Sequence, residues 1–157
     1  MLTYRIVHNI YSKNLFASGA KGRWNSFGKK VIYVGESIPL AFLENMIRRQ
    51  GVGFNNDFKI MVIEIPDKVL ITEIDISKLE DGWRDFNDYS KCQPLGDKWY
   101  NDAKSLVLKV PSAILPESSN YVINSEHVDF GLIKLIGSTD LVPDERIDDI
   151  LKKYPKK

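Results

Sequence analysis

GRWNSFGKKVIYVGES, residues 22–37, contains a turn, a strand and the start of a helix, and the rest of the fold can be read from it. Gly22, Gly28 and Gly35 punctuate a turn-rich loop and close a short apolar strand, VIYV at 31–34. Ser37 then offers a side-chain oxygen to unpaired helical N–H groups, and Pro39 falls in the first turn, where a missing N–H does little harm. The pattern predicts a helix over 38–50, IPLAFLENMIRRQ, with Gly51 as its stop. The loop also carries Arg23, Trp24 and Asn25, residues costly to order and useful for recognition. What Arg23 holds is the first functional question the sequence sets.

On either side of this stretch the chain reads mainly as strands. TYRIV at 3–7 opens the chain, and FKIMVIEI at 58–65 is nearly continuously apolar, as a central strand covered on both faces would be. VLITEID from residue 69, SLVLKV at 105–110, NYVIN at 120–124, HVDF at 127–130 and LIKLIG at 132–137 are further candidates. DKWYNDAKS suits a short helix capped by Asp97, and a C-terminal helix is expected from Asp144 to Lys153 before a charged tail, YPKK, that frays. Strands outnumber helices and do not alternate with them, so the expected class is α+β with a mainly antiparallel sheet, formed by one domain over 1–157.

Composition narrows the function. With 22 basic and 21 acidic residues the formal charge is +1, which gives no electrostatic footprint for direct nucleic-acid binding. The lone Cys92 cannot form an internal disulfide, and no Cys/His spacing suits a metal site, so a reducing, cytoplasmic setting follows. No apolar run reaches membrane-spanning length, and the N-terminus lacks a signal-peptide core.

On a helical wheel Leu40, Leu43 and Ile47 share one side of the 38–50 helix, with Glu44 among them and Arg48 and Arg49 turning away. Such a glutamate is either a margin residue paired with Arg48 or a functional acid in a cleft. Arg23 likewise admits two roles, a clamp on a carbonyl or a fork for an anion such as phosphate. Tyr33 can fill the core or stack on a planar ligand. Trp83, Trp99 and Tyr100 suit core packing better than a ligand platform, and KLEDGWRDFNDY reads as a solvated excursion or a cleft border.

Taken in order, GRWNSFGKKVIYVGES, PLAFLENM, GDKWYNDAKSLVLKVPSAILPESSNYVIN and HVDF resemble the RES domain, named for its Arg, Glu and Ser. The resemblance spans nearly the whole chain. It departs from the usual pattern where IPLAFLE opens the helix and where KGRWN replaces a double-glycine GGRWN. It implies a fold similar to ADP-ribosyltransferases and a toxin of a bacterial toxin–antitoxin pair that consumes NAD+. Arg23, Glu44 and Ser112 take the places of the three naming residues, and Tyr33 that of a further active-site tyrosine. Arg5, Trp24 and Asn25 match recurrent positions assigned to substrate binding. The resemblance further implies NAD+ as substrate with no required cofactor, inorganic phosphate as a possible co-substrate, and a hetero-oligomer with an Xre-like antitoxin that carries the DNA contact.

NAD+ chemistry suits a single carboxylate. Nicotinamide leaves as a neutral molecule, so no second carboxyl has to protonate it, unlike the alkoxide of an ordinary glycosidase reaction. On this reading Arg23 clamps the pyrophosphate, Glu44 faces the ribose, Tyr33 stacks and Ser112 orders the ribose or Glu44. Transfer of ADP-ribose to a protein and a noncatalytic NAD- or partner-binding module are the competing expectations. VPSA lacks a nucleophile elbow, which leaves Ser112 without a hydrolase role.

Overall fold

A computed structural model describes residues 1–49 and 57–153. The architecture is α+β. Seven strands form one sheet: β1 (Leu2–His8), β2 (Val31–Gly35), β3 (Phe58–Glu64), β4 (Ile71–Glu73), β5 (Val107–Pro111), β6 (Ser119–Asn124) and β7 (Lys134–Asp140). Their spatial order is β4-β5-β6-β2-β1-β3-β7, antiparallel except for the β4–β5 pair. Among the described residues three α-helices accompany them: α1 (Ile38–Arg48), α2 (Gln93–Asp102) and α3 (Glu145–Lys153).

One feature of the sheet positions the site. β1 pairs with β3 along seven residues and β2 with β6 along five, yet β1 and β2 meet only at Tyr4 and Gly35. The sheet is therefore two ribbons joined at a point and diverging from it. On one face Val7, Ile32, Val34, Met61, Ile63 and Ile123 form the larger core, with Leu15 and Ala17 of the first loop packed against it. On the other, α2 and the aromatic residues Trp24, Trp83 and Trp99 pack on Leu108, Val110 and Val122, while α1 covers Ile6.

Several expectations shift. Residues 58–64 do form a strand, paired on both sides, but β2 occupies the centre of the sheet and β3 lies one strand from the β7 edge. HVDF is no strand: the Asp129 N–H donates to His127 Nδ1, the Glu126 N–H donates to Asn124 Oδ1, and these local bonds make a turn leading into a short 3-10 segment at Phe130–Leu132. α2 begins at Gln93, so Asp97 sits inside the helix instead of capping it, and its carboxylate accepts from the Ser26 N–H at 2.9 Å. Ser37 does cap α1, accepting from the Leu40 N–H. The Gly51 stop and the fraying of residues 154–157 lie outside the described residues.

α1 is turned relative to its wheel. Leu40 and Ala41 are buried, but Ile47 is 57% exposed, and the residues meeting the core beside Ile6 are Ala41, Phe42 and Met46. Gly35 explains the rotation: a Cβ there would stand 3.2 Å from the Ala41 backbone nitrogen, so the missing side chain lets α1 settle directly onto the end of β2. The stripe then facing the sheet divide is Ala41, Glu44, Asn45 and Arg48, spaced i, i+3, i+4, i+7.

Candidate active site

Where the two ribbons part, a cavity of about 60 Å³ opens, lined by Tyr4 and Arg5 of β1, Tyr33 of β2, Glu44 and Arg48 of α1 and Asn120 of β6, among others. Polar residues converge here from four elements that the fold brings to one point.

Glu44 is held from one side. The Ser112 hydroxyl donates to its Oε1 at 2.8 Å and the Asn120 amide donates to the same oxygen at 2.6 Å. Both donors stabilise the ionised carboxylate, and hydrogen bonds to a charged group contribute about 1.5–3 kcal/mol each. Ser112, fully buried just beyond the end of β5, also accepts from the Ile114 and Leu115 N–H groups at 3.1 Å each. With its proton on Glu44 and its lone pairs filled by backbone donors, the hydroxyl has no capacity left for nucleophilic attack. It orients Glu44, one of the two roles expected of it.

The cations of the cavity are Arg5 and Arg48. Arg5 Nη1 donates to the Phe16 carbonyl at 3.1 Å. Burial, and secondarily the neighbouring Arg48 guanidinium, lower the Arg5 pKa to about 10. Two mutually repelling guanidinium groups beside a single carboxylate create a local demand for negative charge, which an anionic ligand satisfies.

Tyr33 presents a ring and withholds its hydroxyl. That hydroxyl donates to Asn25 Oδ1 at 2.6 Å and accepts from the Trp24 N–H at 3.1 Å, and burial pushes its pKa well above the usual tyrosine range. Gly22 completes this cradle, since a Cβ there would lie 2.7 Å from the Tyr33 hydroxyl oxygen. Trp24 and Asn25 are buried, and both bond the Tyr33 hydroxyl. The Asn25 amide is itself anchored on the Ala20 and Ser26 carbonyls, and Gln93 of α2 donates to the Gly22 and Asn25 carbonyls.

Arg23 lies apart from the cavity. Its Nη1 donates to the Trp83 carbonyl at 2.5 Å and the Asp85 carbonyl at 3.1 Å, its Nη2 to the Arg84 carbonyl at 3.4 Å, and its Cζ stands 4.9 Å over the Tyr89 ring. Of the two roles weighed for it, the structure shows the clamp: it fastens the 83–85 excursion to the signature loop. Arg84 ties the same excursion to the sheet end by donating to the Ala113 and Ile114 carbonyls. Trp83 and Trp99 are buried in packing, and burial raises the Cys92 thiol above its ordinary pKa, the wrong direction for a nucleophile.

The structure thus gathers Arg5, Tyr33, Glu44 and Ser112, with Trp24 and Asn25 behind them and Arg23 outside. Sequence reasoning missed Arg48 and Asn120. Arg48 was legible as the fourth member of the 41/44/45/48 stripe. Asn120 had no local signal, because only the β2–β6 pairing, which sets Gly35 opposite Asn120, carries it to the cavity. Among the described residues no group of three or more His, Cys, Asp or Glu could hold a metal ion, and no helix is long and apolar enough to cross a membrane.

The RES domain family matches residues 3–147. The chain is 31% identical over 134 residues to Toxin Res of Photorhabdus laumondii, covering 83% of this chain and 85% of that one. It is 32% identical over 128 residues to Toxin Res of Pseudomonas putida, covering 80% and 85%. The Prs ADP-ribosylating toxin of a Sphingobium species is 33% identical over 126 residues, covering 77% and 78%. In fold the chain is similar to the crystal structure of the M. tuberculosis MbcT–MbcA toxin–antitoxin complex, with a TM-score of 0.72 at 21% identity over 97% of this chain and 88% of that chain.

Proposed function

The chain belongs to the RES domain family, and from that premise we propose that it is the toxin of a toxin–antitoxin pair and that it destroys NAD+ by cleaving the nicotinamide–ribose bond. The observation carrying this reading is Glu44, a cavity carboxylate with Oε1 fixed by Ser112 and Asn120 and two arginines alongside.

In the reaction the bond between the ribose anomeric carbon and the pyridinium nitrogen breaks. Its electron pair passes to the nitrogen, and neutral nicotinamide departs. Positive charge develops on the ribose, and the Glu44 carboxylate, positioned in advance by its two donors, stabilises it in the transition state. Water attacks the anomeric carbon and loses a proton to give ADP-ribose, or inorganic phosphate attacks to give its phosphorylated form. Arg5 and Arg48 bind the pyrophosphate, and the Tyr33 ring offers a face to the nicotinamide end while its hydroxyl stays with Asn25. Arg23 serves by bracing the loop that holds Tyr33.

Transfer of ADP-ribose to a protein uses the same first step and is the second reading, favoured by the name of the Sphingobium relative. We place the protein in the cytoplasm, paired with an Xre-like antitoxin as a hetero-oligomer, on the strength of its toxin relatives and of the complex whose toxin shares its fold.

Incubating purified protein with NAD+, with and without phosphate, tests the proposal. Free nicotinamide with free ADP-ribose identifies hydrolysis, and dependence on phosphate identifies phosphorolysis. ADP-ribose mass added to a protein moves the assignment to transfer, and no nicotinamide release overturns NAD+ cleavage.

A further inference from the structure

A ligand of drug size occupies a pocket of about 300–1,000 Å³, several times the 60 Å³ available beside Glu44. A dinucleotide whose reacting ribose enters this cavity must therefore continue over the surface. Arg5 marks one way out, because its guanidinium lies on the cavity and donates to the Phe16 carbonyl at 3.1 Å.

Phe16 is directed outward by its neighbours. Leu15 and Ala17 both pack against the larger core, so the residue between them is turned to solvent and stands 50% exposed. It is not alone there. Tyr11, 51% exposed, stacks on it with ring centroids 5.9 Å apart and planes inclined by 11°. The segment joining the two rings is anchored, since Ser12 is buried and its hydroxyl donates to the Asn9 carbonyl at 2.7 Å. Scattered exposed apolar side chains need no explanation, but two aligned, half-exposed rings on an anchored loop form an ordered aromatic face beside a cationic cavity.

We propose that the stacked Tyr11–Phe16 pair is a base-binding subsite that takes the adenine of a ligand whose phosphates lie on Arg5 and Arg48. The proposal rests on the reading of NAD+ as substrate. Every base offers a π-face, so stacking of this kind strengthens binding without reading the base edge. The subsite makes the protein select a dinucleotide over a mononucleotide, and Tyr11 and Phe16 determine that specificity without touching the reacting bond.

Calorimetric titration with ADP and with pyrophosphate tests the subsite without turnover, using wild type, Tyr11→Leu and Phe16→Leu, with thermal melts confirming that all are folded. Wild type is expected to bind ADP at least about tenfold more tightly than pyrophosphate, and each variant to lose most of that advantage while keeping its pyrophosphate affinity. Equal affinity for the two ligands in wild type, no ADP binding, or an advantage undiminished in both folded variants would each overturn the subsite. Nicotinamide release from NAD+ is followed in parallel. Release without an ADP preference sinks the subsite and leaves the proposed function standing; an ADP preference lost in the variants, without release, supports the subsite and sinks NAD+ cleavage.

Discussion

Asn120 and Ser112 donate to one oxygen of Glu44, but they differ in what else they hold. Asn120→Ala removes one donor from the carboxylate, so kcat for nicotinamide release is expected to fall about 10- to 100-fold with KM for NAD+ little changed. Ser112→Ala also strands two backbone N–H groups, so it is expected to lower the melting temperature as well, which Asn120→Ala does much less. Equal losses of stability in the two variants would contradict this division of roles. Tyr33→Phe leaves Asn25 Oδ1 and the Trp24 N–H without their partner and is expected to cost about 1–3 kcal/mol in denaturant unfolding, while retaining more activity than Tyr33→Ala because the ring face remains. Arg5 gives a pH dependence. Its pKa is lowered to about 10, so it stays charged through neutral pH, and pyrophosphate affinity should hold from pH 7 to 9 and weaken as pH rises through about 10. Arg5→Met should have weaker affinity throughout and lack that step.

At the scale of elements, the approach of α2 to the signature loop is the tightest at any described glycine. A Cβ at Gly96 would stand 1.8 Å from the Trp24 carbonyl oxygen, a separation no side-chain shift relieves because the clash is with backbone. Gly96→Ala is expected to destabilise the fold by about 1–3 kcal/mol or more and to weaken activity through Tyr33, measured by urea unfolding and nicotinamide release together. Much of this arrangement could be read from the sequence: the β2 strand, the Ser37 cap and Glu44 on α1 all carry local signals in residue type and spacing. What escaped was set by approach between elements. Gly35 admits α1 so closely that its packed face rotates, which exposes Ile47 and puts Arg48 into the cavity. The loop context of Arg23 admitted both a carbonyl clamp and an anion fork, and the carbonyls it holds, of Trp83, Arg84 and Asp85, lie beyond any local pattern. HVDF had strand composition but was claimed by turn bonds from Asn124 and His127.

Across the whole molecule, function follows from a sheet that is joined at one point between β1 and β2 and parted beyond it. The parting supplies the cavity, and the residues around it divide into those that line it and those that hold them: Glu44, Arg5, Arg48 and Tyr33 in front, Ser112, Asn25 and Trp24 behind. On the proposed reading such a site needs neither a second carboxyl nor an activated nucleophile, because the leaving group of NAD+ already carries positive charge. The most direct measurement is nicotinamide release from NAD+ by wild type and by Glu44→Gln, with both shown to be folded by their melting curves. Release by wild type, reduced at least about 100-fold by a substitution that keeps the size of residue 44 and removes its charge, is the predicted result. Comparable release by the two proteins would contradict it.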